Sequence, residues 1–243
     1  EWKGYSCHEF KLDDAACKMV IPKITAPGRP WIIRARFWGH QPQADLALLE
    51  KGWHLAYCDV SNLFGSPRAV MRWEKFHSAM VQDHGLAKKV ALEGMSRGGL
   101  IVYNWAKKNP DHTLCIYADA PVCDFTSWPG GKGRGKGNSG SWRACMQAYG
   151  INEEEVLQFK GAPIHGLENL AKSKVPLLHV VGQADRVVPV EENTDIIEEK
   201  ILNLGGEITV IRKEGVDHHP HSLKDPEPIV LFITNAWDSY FLK

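Results

Sequence analysis

ALEGMSRGGL, residues 91–100, decides how this chain is read. The apolar run Val90-Ala91-Leu92-Glu93 leads into a serine set among glycines, and the helix-patterned LIVYNWAKK follows. Only a sharp turn remains between strand and helix. Such a turn strains the serine backbone, and small neighbours let the two elements approach closely. The Ser96 hydroxyl then projects above the sheet, at a helix N-terminus that favours developing negative charge. The competing reading is a plain glycine-rich connection. A strand before and a helix after favour a nucleophile.

Outward from this turn, strands and helices alternate. EFKLDD and CKMVIPK read as an opening antiparallel hairpin, and WIIRARFW (31–38), WHLAYCDV, KKVALEG, TLCIYADA, VPLLHVVG and EITVIRKEG as strands. Helices are expected at ADLALLEKG, at SPRAVMRWEKFHSAMVQDHG with Val70, Trp73, Phe76 and Met80 at helical spacing, and at GGLIVYNWAKKNP. Two more are expected at VEENTDIIEEKILNLGG and DPEPIVLFITNAWDSYF. This order predicts an α/β fold, a mostly parallel sheet with helices on both faces after an N-terminal antiparallel hairpin. Residues 120–165 break the alternation with the glycine-rich GGKGRGKGNSGS and two short helical patterns. They are expected to form a cap or lid inserted after the sixth strand of a single domain, 1–243, at the strand ends where open α/β sheets bind ligands.

Bulk composition narrows the classes. The chain has 243 residues, 44% apolar and 24% charged, the ordinary globular range. Net charge is zero, which gives no electrostatic case for a nucleic-acid partner. No apolar run approaches a transmembrane span, so no membrane partner is expected. The opening EWKGYSCHEF lacks a signal-peptide pattern. Cys58 and Cys115 fall in strand-like runs as buried thiols, while Cys7 with Cys17, or Cys123 with Cys145, could bridge in an exported protein.

A serine nucleophile needs a base, and the base needs an orienting acid, both carried by loops after later strands. Asp185, in GQADRVVP after an apolar strand, is the expected acid, with Asp119 at the end of TLCIYAD as runner-up. VDHHPHSL after the last strand offers His218, His219 and His221. His218, first after the strand exit, is the expected base ahead of His221, with His219 pointing away. No metal or other cofactor is expected, because adjacent His218 and His219 rarely face one ion and no acid or thiol completes a ligand spacing.

On GMSRGG, GQADRVVP and GVDHHPHSL, the chain resembles the α/β-hydrolase superfamily over essentially its whole length. More narrowly, RARFWGHQP, AYCDVSNLFGSP and SWPGGKGRGKG resemble bacterial carbohydrate esterases, pectin methylesterase-like members among them. The superfamily resemblance implies an oxyanion hole of two backbone N–H groups, Arg97 and Trp38, with Phe37 as the neighbouring alternative. The segment Phe37-Trp38-Gly39-His40 departs from the usual HGG.

Candidate substrate contacts surround this frame. Arg34 and Arg36 share strand parity, and Arg36, nearer the strand end, is the candidate contact, against the alternative of pairing with Asp59 or Glu93. His40 lies on the adjoining loop. Lys132, Arg134 and Lys136 among glycines, flanked by Trp128 and Trp142, would suit an acidic sugar chain, although a solvated loop explains them equally well. The leading expectation is a serine esterase acting on a carbohydrate ester such as a methyl-esterified uronic-acid polymer, which would favour a periplasmic or secreted setting. Alternatives are an acetyl or other carbohydrate esterase, a non-catalytic carbohydrate binder and a metal-dependent hydrolase. A peptidase ranks lower, because hydrolase-fold peptidases often carry an extra domain for which this length leaves no room. The polar lid likewise disfavours a lipase.

Overall fold

The structure, a computed structural model, describes residues 1–242. Eight strands form one sheet: β1 (Ser6–Leu12), β2 (Ala15–Ile21), β3 (Trp31–Ala35), β4 (His54–Cys58), β5 (Val90–Met95), β6 (Thr113–Asp119), β7 (Leu177–Gly182) and β8 (Ile208–Lys213). Their spatial order is β1-β2-β4-β3-β5-β6-β7-β8. The hairpin β1–β2 joins β4 antiparallel, and every later pairing is parallel. This is the α/β-hydrolase arrangement expected from the sequence.

Period-two alternation in β3 sends Trp31, Ile33 and Ala35 to one face and Ile32 to the other. On the first face lie α2 (Pro67–Gln82), α3 (Gly98–Lys108), α4 (Ser139–Tyr149), α5 (Glu168–Lys172) and α6 (Thr194–Asn203), all feeding one core. Val70, Trp73, Phe76 and Met80 of α2 are all buried there. On the opposite face α1 (Gln43–Glu50) packs with α7 (Glu227–Phe241), and Trp53 meets Trp237 edge-on at 5.9 Å. Six of the nine tryptophans, Trp142 included, are buried.

Two expectations change. The strand expected over 31–38 stops at Ala35, because Arg36 and Phe37 take left-handed backbone (φ 58° and 44°) and lift the chain out of the sheet. All six cysteines are free, so neither of the two pairs that an exported protein could bridge is joined here. Cys17 instead lies opposite Cys58 across β2 and β4.

Candidate active site

Ser96 sits between β5 and α3 with φ of 48°, a left-handed conformation that only surrounding structure can hold. Its N–H donates to the Asp119 carbonyl (2.8 Å) and its carbonyl accepts from the Val122 N–H (2.9 Å), strapping the turn to the end of β6. The flanking glycines are needed for contact. A Cβ on Gly98 would stand 2.9 Å from the Ala35 carbonyl oxygen, and one on Gly99 would stand 2.7 Å from that of Val122.

Asp185 and His218 reach the same point from β7 and β8. Asp185 Oδ1 accepts the N–H groups of Val187 (2.9 Å) and Val188 (2.8 Å), which fixes the carboxylate and leaves Oδ2 for His218 Nδ1 at 2.7 Å. With Nδ1–H donating to that acid, Nε2 carries the lone pair. It lies 3.0 Å from Ser96 Oγ. Ser96, His218 and Asp185 are all buried.

Asp217 completes this part of the site and has no counterpart in the sequence reasoning. Its Oδ1 accepts the N–H groups of both Arg186 (2.9 Å) and His218 (2.8 Å), and Oδ2 binds Arg186 Nε at 2.7 Å. One carboxylate thus ties the acid-bearing loop to the base-bearing loop. These hydrogen bonds hold its carboxyl down to about 2.

The runner-up residues also meet, separately. His221 Nδ1 lies 2.7 Å from Asp119 Oδ1, while Asp119 Oδ2 accepts from the Tyr117 hydroxyl and the Ser222 N–H, both at 2.8 Å. The His221 ring packs against that of His218, 4.8 Å between centroids. His219 is exposed, as its expected orientation requires. Ligand atoms of His218, His219 and His221 fall within 4.8 Å of one another. Both nitrogens of His218 are already engaged, however, with Ser96 and Asp185.

Opposite the histidines runs the loop after β3. Arg34, fully buried, pairs with Asp45 and with Glu93 (2.9 Å) and donates to the carbonyls of Phe37 (3.2 Å) and His40. Two carboxylates face one guanidinium here, and burial pushes Glu93 well above the usual carboxyl range despite Arg34's opposing charge. Arg34 therefore realises the acid-pairing alternative and pins the loop at two carbonyls. Sequence parity singled out Arg36 instead, but the left-handed turn carries that residue out of the strand register. Among the described residues, the backbone N–H groups of Phe37, Trp38 and Arg97 all have no acceptor within the chain.

The remaining candidate contacts divide. The Trp128 ring lies 5.6 Å from the Arg97 guanidinium, and His40 is exposed 5.8 Å from His221. Trp142 faces the core, with its indole N–H on Glu153, so it offers no face to a sugar. Lys132 is paired with Glu153 at 3.1 Å and Arg134 with Glu191 at 2.7 Å, which removes most of the free positive charge of the glycine-rich segment. Lys136 has no ion-pair partner among the described residues and lines a groove of about 520 Å³ with Trp128 and Arg186. A separate cavity of about 720 Å³ sits at the amino ends of β5 to β8, far from this chemistry.

A serine, histidine and aspartate within hydrogen-bond reach, above the carboxyl ends of an eight-stranded sheet with this strand order, define a protein of the α/β-hydrolase class. The chain belongs to the prolyl oligopeptidase family, whose match covers residues 75–227. Among solved structures, a Mycobacterium tuberculosis puromycin-hydrolyzing peptidase is similar at 14% identity and a TM-score of 0.71, over 94% of this chain and 38% of that one. The Pyrococcus horikoshii acylaminoacyl peptidase gives 17% and 0.64, over 90% and 38%. A bacterial membrane phospholipase A gives 16% and 0.58, over 97% and 86%. The chain therefore spans about two-fifths of the length of the two peptidases. No curated protein sequence matches it. None of these three structures is a carbohydrate esterase. The family match also removes chain length as an argument against a peptidase, since it falls on a hydrolase unit that the longer peptidases share.

Proposed function

We propose that the chain is a serine hydrolase of carboxylic esters working through an acyl-enzyme. The observation that carries this is Nε2 of His218 at 3.0 Å from Ser96 Oγ, with Nδ1 anchored on Asp185. Ser96 Oγ attacks the ester carbonyl as its proton passes to Nε2. The imidazolium that forms is stabilised by Asp185. The oxyanion accepts from the backbone N–H groups of Arg97 and Trp38 while the tetrahedral adduct lasts. Nε2 then returns the proton to the departing alkoxide, leaving an ester on Ser96. Water, deprotonated by the same nitrogen, releases the acid and restores the serine.

A carbohydrate ester is the finer reading of the substrate. It rests on the sequence likeness of the RARFWGHQP and SWPGGKGRGKG segments and on Trp128, a half-buried indole at the site suited to a pyranose face. The second reading, an amide or peptide substrate, is favoured by the family match. Fluorophosphonate labelling followed by a panel of methyl esters, acetylated sugars and aminoacyl anilides tests both. An adduct confined to Ser96 with ester turnover exceeding anilide turnover is expected. Absence of any adduct in the folded protein would sink the hydrolase, and anilide preference would favour the second reading.

A further inference from the structure

The two arginines nearest the nucleophile are handled in opposite ways. Arg34 is buried with its guanidinium spent on two carboxylates and two carbonyls. Arg97, one residue after Ser96, is half-buried, and among the described residues its side chain donates to no acceptor and pairs with no acid. Nε is closed off from solvent without a partner, whereas the terminal nitrogens stay open to it. The guanidinium carbon lies over two aromatic rings, 4.8 Å from the centre of Phe64 and 5.6 Å from that of Trp128. Arg36 adds a second cation on the same side; among the described residues its one acceptor is the Ser61 carbonyl at 3.3 Å, and its own Nε is buried and unpartnered.

Half-burying a cation without an anion is costly, and a second cation nearby adds to the cost. Burial first, and then Arg36, draw Arg97 down to about 10, which still leaves it charged at neutral pH. Contact with two aromatic rings restricts the side chain's rotamer freedom, so the planar fork is partly pre-organised. A fork of this kind matches a carboxylate with two parallel hydrogen bonds.

We infer that Arg97, backed by Arg36, is the recognition site for a carboxylate carried by the substrate, so that the enzyme acts on esters of acidic molecules. This rests on the hydrolase reading above and adds the substrate's charge to it. The lid does not supply this charge, since Lys132 and Arg134 are neutralised by Glu153 and Glu191. Because Arg97 directly follows Ser96, the carboxylate and the scissile carbonyl belong to the same compact unit. An O-acetylated uronate residue has that arrangement, whereas in a uronate methyl ester the carboxyl group is itself the scissile one and the free carboxylate belongs to a neighbouring residue. The neighbouring Lys136 would meet further negative charge along the groove beside Trp128.

Two measurements test the site, one of them independent of turnover. Tryptophan fluorescence is titrated with glutarate, and with glutaramide as the neutral control at matched ionic strength; Trp128 on the guanidinium is the reporter. A saturable response to glutarate alone, lost in Arg97→Gln and weakened in Arg97→Lys, is expected. In the second, kcat/KM is compared within two ester pairs. Mono-4-nitrophenyl glutarate against 4-nitrophenyl valerate places the charge on the acyl side, and 4-acetoxybenzoate against phenyl acetate places it on the leaving side. At least a roughly tenfold preference for the acid is expected in one pair, the size of a charge-assisted bidentate contact. That preference should collapse toward unity in Arg97→Gln and partly survive in Arg97→Lys, each variant's ratio being its own control for folding. No glutarate response and equal use of acid and neutral esters would overturn the carboxylate site while leaving the hydrolase standing. A glutarate response without labelling or turnover at Ser96 would do the reverse.

Discussion

Two histidine–carboxylate pairs stand side by side in the VDHHPHSL loop, and their geometry is nearly the same. His218 holds Asp185 and His221 holds Asp119, each through Nδ1 at 2.7 Å, and all four residues are buried. The difference lies on the other side of each ring. Nε2 of His218 faces Ser96 Oγ, whereas His221 has no hydroxyl and packs among His218, His219 and His40. The acids differ as well. Asp185 is fixed by two backbone N–H groups of its own loop, while Asp119 is shared among His221, the Tyr117 hydroxyl and the Ser222 amide. A buried, well-made dyad is therefore no sufficient mark of catalysis. The pair at Asp185 ends on the Ser96 hydroxyl, the nucleophile of the proposed reaction; the pair at Asp119 binds the histidine loop to the sheet.

The largest effect should separate the two rings. His218→Ala is expected to lower ester turnover at least about a thousandfold, matching Ser96→Ala, because base and nucleophile act as a unit. His221→Ala should cost no more than about tenfold, through the ring packed on His218. Steady-state kinetics on one activated ester checks both, and a reversed order would move the base to His221. Next come the acids. Asp185→Asn should lower kcat about a hundredfold or more, since the amide no longer favours the productive tautomer or stabilises the imidazolium. Asp119→Asn should instead lower stability by about 1–3 kcal/mol, leaving one of its buried donors badly served. Denaturant unfolding beside kinetics distinguishes the roles.

Arg34 extends the comparison to the opposite wall. Arg34→Met removes the cation facing Asp45 and Glu93 and frees the carbonyls of Phe37 and His40. Stranding a buried acid costs about 3–5 kcal/mol. Glu93, already pushed up by burial, can shed part of that cost by holding its proton, so the lower end is expected in unfolding experiments. In the fraction that folds, kcat should fall while KM changes little, because the released loop carries the Trp38 donor.

How much of this was legible in the chain follows from how local each determinant is. The strand–serine–helix turn, the strand–helix alternation and the sequence Ser96, Asp185, His218 depend on short patterns and their spacing, and the three residues meet within hydrogen-bond reach. Helix α2 was equally legible, from four apolar positions that are all buried. The end of β3 was not. RARFW alternates as a strand should, and only Arg34's long-range bonds to Asp45 and Glu93, together with its grip on Phe37 and His40, turn the backbone left-handed after Ala35. The cations of the glycine-rich segment read as free charge because their partners, Glu153 and Glu191, are 21 and 57 residues away from Lys132 and Arg134. Trp142 looked like a sugar platform for the same reason, since its place in the core is set by packing and not by its neighbours in sequence.

The smallest expected effect is at Asp217, and it sharpens the comparison most. Asp185 and Asp217 both accept two backbone N–H groups, yet only Asp185 touches the imidazole side chain. Asp217 holds His218 through the backbone, joining the loops of β7 and β8. Asp217→Asn keeps the shape and one acceptor oxygen but loses the charged contact with Arg186. A drop in kcat of only about two- to tenfold is expected, with Ser96 still labelled by fluorophosphonate, since the tie is exposed and solvent screens it. The wild-type tie should persist at acid pH until its carboxyl titrates near pH 2, the sign for an acid whose folded pKa is depressed. A loss as large as that of Asp185→Asn would mean that the distance between Ser96 and His218 depends on this exposed clasp as much as on the buried acid.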